Sequence, residues 1–241
     1  MKDSGATMNL KTIFFSALLV ATHSAWAGRP LATDDAGVAD FGTCQFEAWG
    51  ERAGDDEAYV ASPACGIWHG VELGGEYAWL HPRDETRAES SVALKVVPES
   101  WGFKTAAGEL NFGLKLAQGF VHPADRGWLG SDTSGLLLVS LTANDQWTLH
   151  ANLGAAHDRE SGDDAGLFNL AAVWTPHERV LLFAEVLTNT RSEIFGGTTK
   201  NVGGRYWLIP DVLGVDLTAG RESGSGSTVW TVGFGWYGIS F

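Results

Sequence analysis

Apolar and polar side chains alternate along most of this chain. Val71, Leu73, Tyr77 and Trp79 share one parity, while Glu72, Gly74, Glu76 and Ala78 take the other. Leu110, Phe112, Leu114 and Leu116 oppose Asn111, Gly113, Lys115 and Ala117, and Trp147, Leu149, Ala151 and Leu153 oppose Thr148, His150, Asn152 and Gly154. Val202, Tyr206 and Leu208 oppose Asn201, Gly203 and Arg205; Leu213, Val215 and Leu217 oppose Gly214, Asp216 and Thr218. A period of two is that of a β-strand with one apolar face. Twelve strands are predicted, over 41–51, 58–68, 70–80, 90–97, 109–120, 134–143, 146–156, 165–175, 180–189, 199–209, 212–221 and 228–241.

The connections between these strands alternate in length. Trp68-His69-Gly70, Asn144-Asp145, Pro176 to Arg179 and Pro210-Asp211 are short, whereas Glu51 to Glu57, His81 to Glu89, Val121 to Thr133, His157 to Asp164, Thr190 to Thr198 and Glu222 to Ser227 are long. Short turns at one end and long loops at the other characterise an outer-membrane barrel. The link from Pro98 to Gly108 breaks the rule, being long on the short side. Alternation alone also fits a soluble sandwich or lipocalin-like barrel, but three features favour the membrane. The polar parity carries small residues and sparse charges of both signs, as a confined barrel interior would. Tryptophans cluster near strand ends, with Trp68, Trp147, Trp174 and Trp207 at the turns and Trp49, Trp79 and Trp230 at the loops, in the manner of two interfacial girdles. The chain ends within its last strand at Phe241, with Tyr237 and Ile239 on the same parity, an ending that looks like the signal read by the outer-membrane barrel-assembly machinery. The expected fold is therefore all-β: a single antiparallel transmembrane β-barrel of about twelve strands, up-and-down, over residues 41–241. In the last strand Trp230, Val232, Phe234 and Trp236 oppose Tyr237, Ile239 and Phe241, although both sets suit lipid; a β-bulge near Gly235 would reconcile them.

Ahead of the strands, Lys2 and Lys11 precede the apolar run from Ile13 to Ala21, and Ala25-Trp26-Ala27 supplies a cleavage site. Residues 1–27 read as a secretory signal peptide, leaving 28–40 as an N-terminal periplasmic segment. Asp34-Asp35 in that segment either folds back into the lumen or forms a local turn. A net charge of -13 argues against nucleic-acid binding, which needs a basic face. Cys44 and Cys65 would enter an oxidising compartment. A hairpin centred between Gly54 and Asp55 sets them opposite each other, so a cross-strand disulfide is expected near the turn end.

Arg29-Pro30-Leu31-Ala32-Thr33-Asp34-Asp35-Ala36-Gly37, Cys44 to Trp49, Pro63 to Gly66 and Val71 to Gly74 resemble a proteobacterial outer-membrane β-barrel family of the phenol-degradation meta-pathway type. The match runs over about residues 29–76. The resemblance implies a barrel and the passage of aromatic or hydrophobic compounds, and it brings no catalytic residues.

By parity, the lumen-lining set is Glu72, Glu76, Lys95, Lys115, His150, Asn152, Glu185, Arg205 and Asp216. Acids outnumber bases in this set, so a conducting path is expected to favour cations or neutral solutes. His150, Asn152 and Ser140 contain the residue types of a lipid hydrolase, but on the polar parity rather than facing lipid. The remaining histidines lack metal-ligand spacing, and neither a metal nor a cofactor is implied. Three functions compete: a channel or transporter for small solutes, a structural or adhesive barrel with a closed lumen, and a lipid-modifying enzyme. The first is favoured and no enzyme is expected, with the membrane, lipopolysaccharide and a small-molecule solute as partners.

Overall fold

A computed structural model describes residues 30–241 except 82–86, 124, 126, 145, 193–195 and 224–225. The expected signal peptide at 1–27 lies outside the described residues. Alternating side chains produce the strands β1 (Thr43–Ala53), β2 (Asp56–Trp68), β3 (Val71–His81), β4 (Arg87–Val96), β5 (Phe103–Thr105), β6 (Gly108–His122), β7 (Leu129–Asn144), β8 (Trp147–Asp158), β9 (Asp164–His177), β10 (Val180–Asn189), β11 (Thr199–Ile209), β12 (Leu213–Glu222) and β13 (Thr228–Ser240). Each pairs antiparallel with its neighbours. Pairing of β1 with β13 and of β4 with β6 closes twelve strands into a barrel, with β5 added against β6. The irregular link after Pro98 is thereby explained. A 3-10 turn over Glu99–Trp101 leads into β5, which takes up the part of β6 that β4 leaves below Val96.

The outer face is the apolar parity. Leu73, Leu94 and Leu116 lie side by side on β3, β4 and β6, all exposed, and Leu153, Leu170, Leu217 and Val232 continue the surface. Trp68, Trp147 and Trp174 at the turn end and Trp79 and Trp230 at the loop end are exposed, with Trp147 stacked on Trp174. Trp49 and Trp207 depart from the expected girdles. Trp49 pairs with Val60 and packs on the inward cluster of Ala58, Val60, Ala78 and Leu80, and Trp207 lies under the Arg205 guanidinium. Their parity, shared with Glu47 and Arg205, directs them inward.

At the loop end β1 and β2 run beyond their expected limits to a two-residue turn, Gly54-Asp55, in place of a long loop. At the other end of that hairpin Cys44 pairs with Cys65 in register, and a disulfide joins them. The bulge in β13 lies later than expected: Cys44 faces Ile239 but Phe46 faces Trp236, so Tyr237 and Gly238 together oppose Gln45. Gly238, at φ +69°, accommodates it. Tyr237 therefore keeps the inward parity, and its expected place beside Ile239 and Phe241 on the lipid face is corrected. Polarity accounts for this, since its hydroxyl reaches Arg205 and Glu47. Ile239 returns to the outer face with Cys44, and Phe241 is 75% exposed.

Candidate functional site

The barrel is not hollow along its length. The segment 30–40, expected ahead of the barrel, lies inside it, and of the two readings of Asp34-Asp35 the structure takes the fold back into the lumen. Its apolar residues rest on inward-facing wall residues: Leu31 on Ala171, Val173 and Phe183, and Ala36 on Leu136, Leu138 and Leu167. Strands β7 and β9 thus carry apolar side chains on both faces, one directed outward and one toward the segment.

Polar wall residues hold the segment's backbone. Glu185 accepts from the N–H groups of Ala32 at 3.0 Å and Thr33 at 2.7 Å, and Asn201 on the next strand donates to the same carboxylate at 2.8 Å. Asn152 accepts from the Asp34 N–H and donates to the Asp34 carbonyl, both at 2.8 Å, so its amide reads that residue as a strand neighbour would. Ser140 accepts from Ala36 N–H at 2.7 Å, and Glu72 from Ala39 N–H at 2.8 Å. These bonds satisfy an irregular stretch of backbone that has no sheet partner.

The charges form two clusters. In the first, register sets Glu72 opposite Lys95 and Lys95 opposite Lys115, across β3, β4 and β6. The Asp34 side chain, 1% exposed, places one carboxylate oxygen 2.7 Å from Lys95 Nζ and the other on Lys115. Asp35 reaches Lys95 at 2.6 Å. Enclosure works against the Asp35 carboxylate, but Lys95 outweighs it and holds its pKa below the ordinary value.

In the second cluster, Arg205 on β11 donates to Asp216 on β12 at 2.9 Å and to the Tyr237 hydroxyl, which in turn donates to Glu47. The guanidinium carbon lies 5.1 Å and 5.2 Å from the centroids of the Trp207 and Tyr237 rings. Glycines on the same parity make room. A Cβ on Gly214 would come within 2.7 Å of Arg205, and one on Gly235 within 2.5 Å of the Tyr237 hydroxyl.

His150 contacts Ser140 through Nδ1 at 2.8 Å. Both face the interior, the Ser140 hydroxyl is engaged by the segment, and Asn152 is spent on Asp34. Glu76 lines a cavity of about 470 Å³ beside the segment, whose walls also include Asp35, Glu72, Lys95, His150 and Arg205. The cavity thus touches both charge clusters. Among the described residues, no group of three or more His, Cys, Asp or Glu is placed to hold a metal ion.

All nine residues of the lumen set therefore face the interior, eight with the contacts above and Glu76 on the cavity. Sequence reasoning missed Glu47, Tyr237 and Trp207. Glu47 and Trp207 were legible from parity; Tyr237 was hidden by the position of the bulge.

Several solved outer-membrane barrels share this architecture. The KdgM porin superposes with a TM-score of 0.60 at 12% identity, over 80% of this chain and 98% of the porin. The NanC porin gives 0.61 at 8% identity, over 80% and 98%. Outer membrane phospholipase A from Escherichia coli gives 0.52 at 12% identity, over 91% and 97%. At such identities the likeness is one of fold. No curated protein matches the sequence at a significant level. A family model does match, over residues 15–235, and the chain belongs to the family described as "Uncharacterised conserved protein UCP029691".

Proposed function

We propose that the protein is an outer-membrane channel for small solutes, delivered by the 1–27 signal peptide, with both chain ends at the periplasmic face. The observation that carries this reading is the charged cavity of about 470 Å³ inside a closed barrel of porin architecture. The nine inward residues Glu72, Glu76, Lys95, Lys115, His150, Asn152, Glu185, Arg205 and Asp216 line the path. The resemblance over residues 29–76 to the phenol-degradation meta-pathway type adds aromatic or hydrophobic compounds as cargo. Assembly runs through the barrel-assembly machinery with Phe241 as the terminal signal, and the loop end meets lipopolysaccharide.

The filled lumen favours a second reading, a structural or adhesive barrel, and conductance separates the two. Refolded protein in planar bilayers is expected to carry a small current that rises severalfold when residues 30–40 are deleted. If neither form conducts, the channel reading fails and the closed barrel replaces it.

A further inference from the structure

The first charge cluster has an unusual composition. Lys95 and Lys115 are both buried and directly opposite across β4 and β6. Like charges in facing positions repel, and a buried cation needs a counter-charge. Neither strand supplies one between them. The Asp34 carboxylate does, with one lysine on each oxygen, and it arrives on a segment that belongs to no strand. One side of this arrangement borders the cavity, where Asp35, its side chain 54% exposed, makes a second contact to Lys95. Two lysines, one carboxylate between them and open volume alongside have the anatomy of an anion site filled from within the same chain.

We propose that Lys95 and Lys115 form a carboxylate-binding site in the lumen wall, occupied in this state by Asp34, and that a small carboxylate solute takes the same place when the segment withdraws. The inference deepens the channel reading, on which its transport aspect rests, by naming a solute class. It also reverses, at this depth of the lumen, the cation preference expected from the count of inward acids. With Asp34 and Asp35 gone, Glu72 stays opposite Lys95, and two lysines against that one wall carboxylate leave a local positive excess that attracts anions. Asn152 and Ser140 lose their segment partners in the same step but keep Asn169 and His150, so the emptied wall keeps neutral hydrogen-bonding groups beside the two cations.

The test uses the full chain with a protease site inserted between Asp40 and Phe41, so that the segment is cut only after the barrel has closed around it. Sodium succinate is expected to lower the apparent affinity of the cut segment about tenfold relative to sodium chloride of equal ionic strength. Lys115→Gln is expected to abolish that difference. Equal retention in the two salts would overturn the proposal. A second measurement needs no cutting: uncut Asp34→Asn protein in detergent should bind succinate calorimetrically, and tighter than the native chain does. Absence of binding to Asp34→Asn would again overturn it. Neither measurement requires current, so a barrel that binds succinate yet never conducts sinks the channel reading alone. A conducting barrel indifferent to succinate sinks the carboxylate site alone.

Discussion

Two buried charge clusters share one lumen and are built on different principles. Arg205 finds Asp216, Glu47 and Tyr237 on β12, β1 and β13, so every member is fixed by the hydrogen-bonded wall. Lys95 and Lys115 are also fixed by the wall, but their counter-charge comes from a segment held by side chains rather than by a sheet ladder. The wall cluster forms when the barrel closes and is lost only when the barrel opens. Withdrawal of the segment, as proposed above, would break its cluster without any strand parting, because no sheet ladder ties it to the wall. Stability and occupancy of the lumen are thereby separable, and substitutions in the two clusters should have different kinds of consequence.

The largest effect is expected at Arg205. Arg205→Met removes a cation from two buried carboxylates, and breaking a buried pair from one side costs about 3–5 kcal/mol. The loss should appear as a lower temperature of conversion from the folded to the unfolded band on semi-native electrophoresis, with poorer assembly. Arg205→Lys should recover only part of it, because an ammonium cannot keep the planar fork that serves Asp216 and Tyr237 together. A conversion temperature unchanged in Arg205→Met would mean that the cluster contributes nothing to closure, and the contrast between the clusters would collapse.

Asp34→Asn should act on the other side of the comparison. Charge-assisted bonds contribute about 1.5–3 kcal/mol each, and here the loss falls on docking of the segment rather than on the wall. Amide exchange of residues 31–39 is expected to accelerate at least tenfold while exchange in β11, β12 and β13 stays as it was. Parallel acceleration in those strands would show that segment and wall open as one unit.

The two clusters also differed in how far the sequence disclosed them. Arg205 and Asp216 each lay on the polar parity of a strand, and the short Pro210-Asp211 turn fixed β11 against β12 closely enough to bring them together. Cys44 and Cys65 were legible for the same reason, a hairpin whose turn sets its own register. Lys95 and Lys115 were legible as inward residues but not as a facing pair. The link between their strands contains a 3-10 turn and β5, so no turn geometry fixes one strand against the other. Asp34 was the least legible. Its segment has no periodicity, and its place depends on side chains from β4, β6 and β8 that meet only after the barrel closes. Tyr237 shows the remaining limit: a bulge two residues from its expected position reverses the face of one side chain and restores those that follow.

The smallest effect, and the finest test of the comparison, is expected at Asp35. Its carboxylate meets the same Lys95 as Asp34 but is 54% exposed, so solvent screens the pair and its contribution to docking should be about 1 kcal/mol or less. Asp35→Asn should therefore speed exchange of residues 31–39 only a few-fold at neutral pH. The pH dependence follows from the lowered pKa of this group. A carboxylate whose pKa is depressed in the docked state stabilises that state above its free value, about 3.9, and the contribution is lost as pH falls through the docked value. The difference between the native chain and Asp35→Asn should thus persist through neutral and mildly acidic solution and vanish only below the ordinary carboxylate range. If it vanished already near pH 6, the titration would belong to another group, and Lys95 would not be holding Asp35 as the distances indicate. If it survived at pH 2, Asp35→Asn would be acting through the segment's backbone rather than through its charge. The observed midpoint therefore tells whether the segment is clamped by two carboxylates or by Asp34 alone.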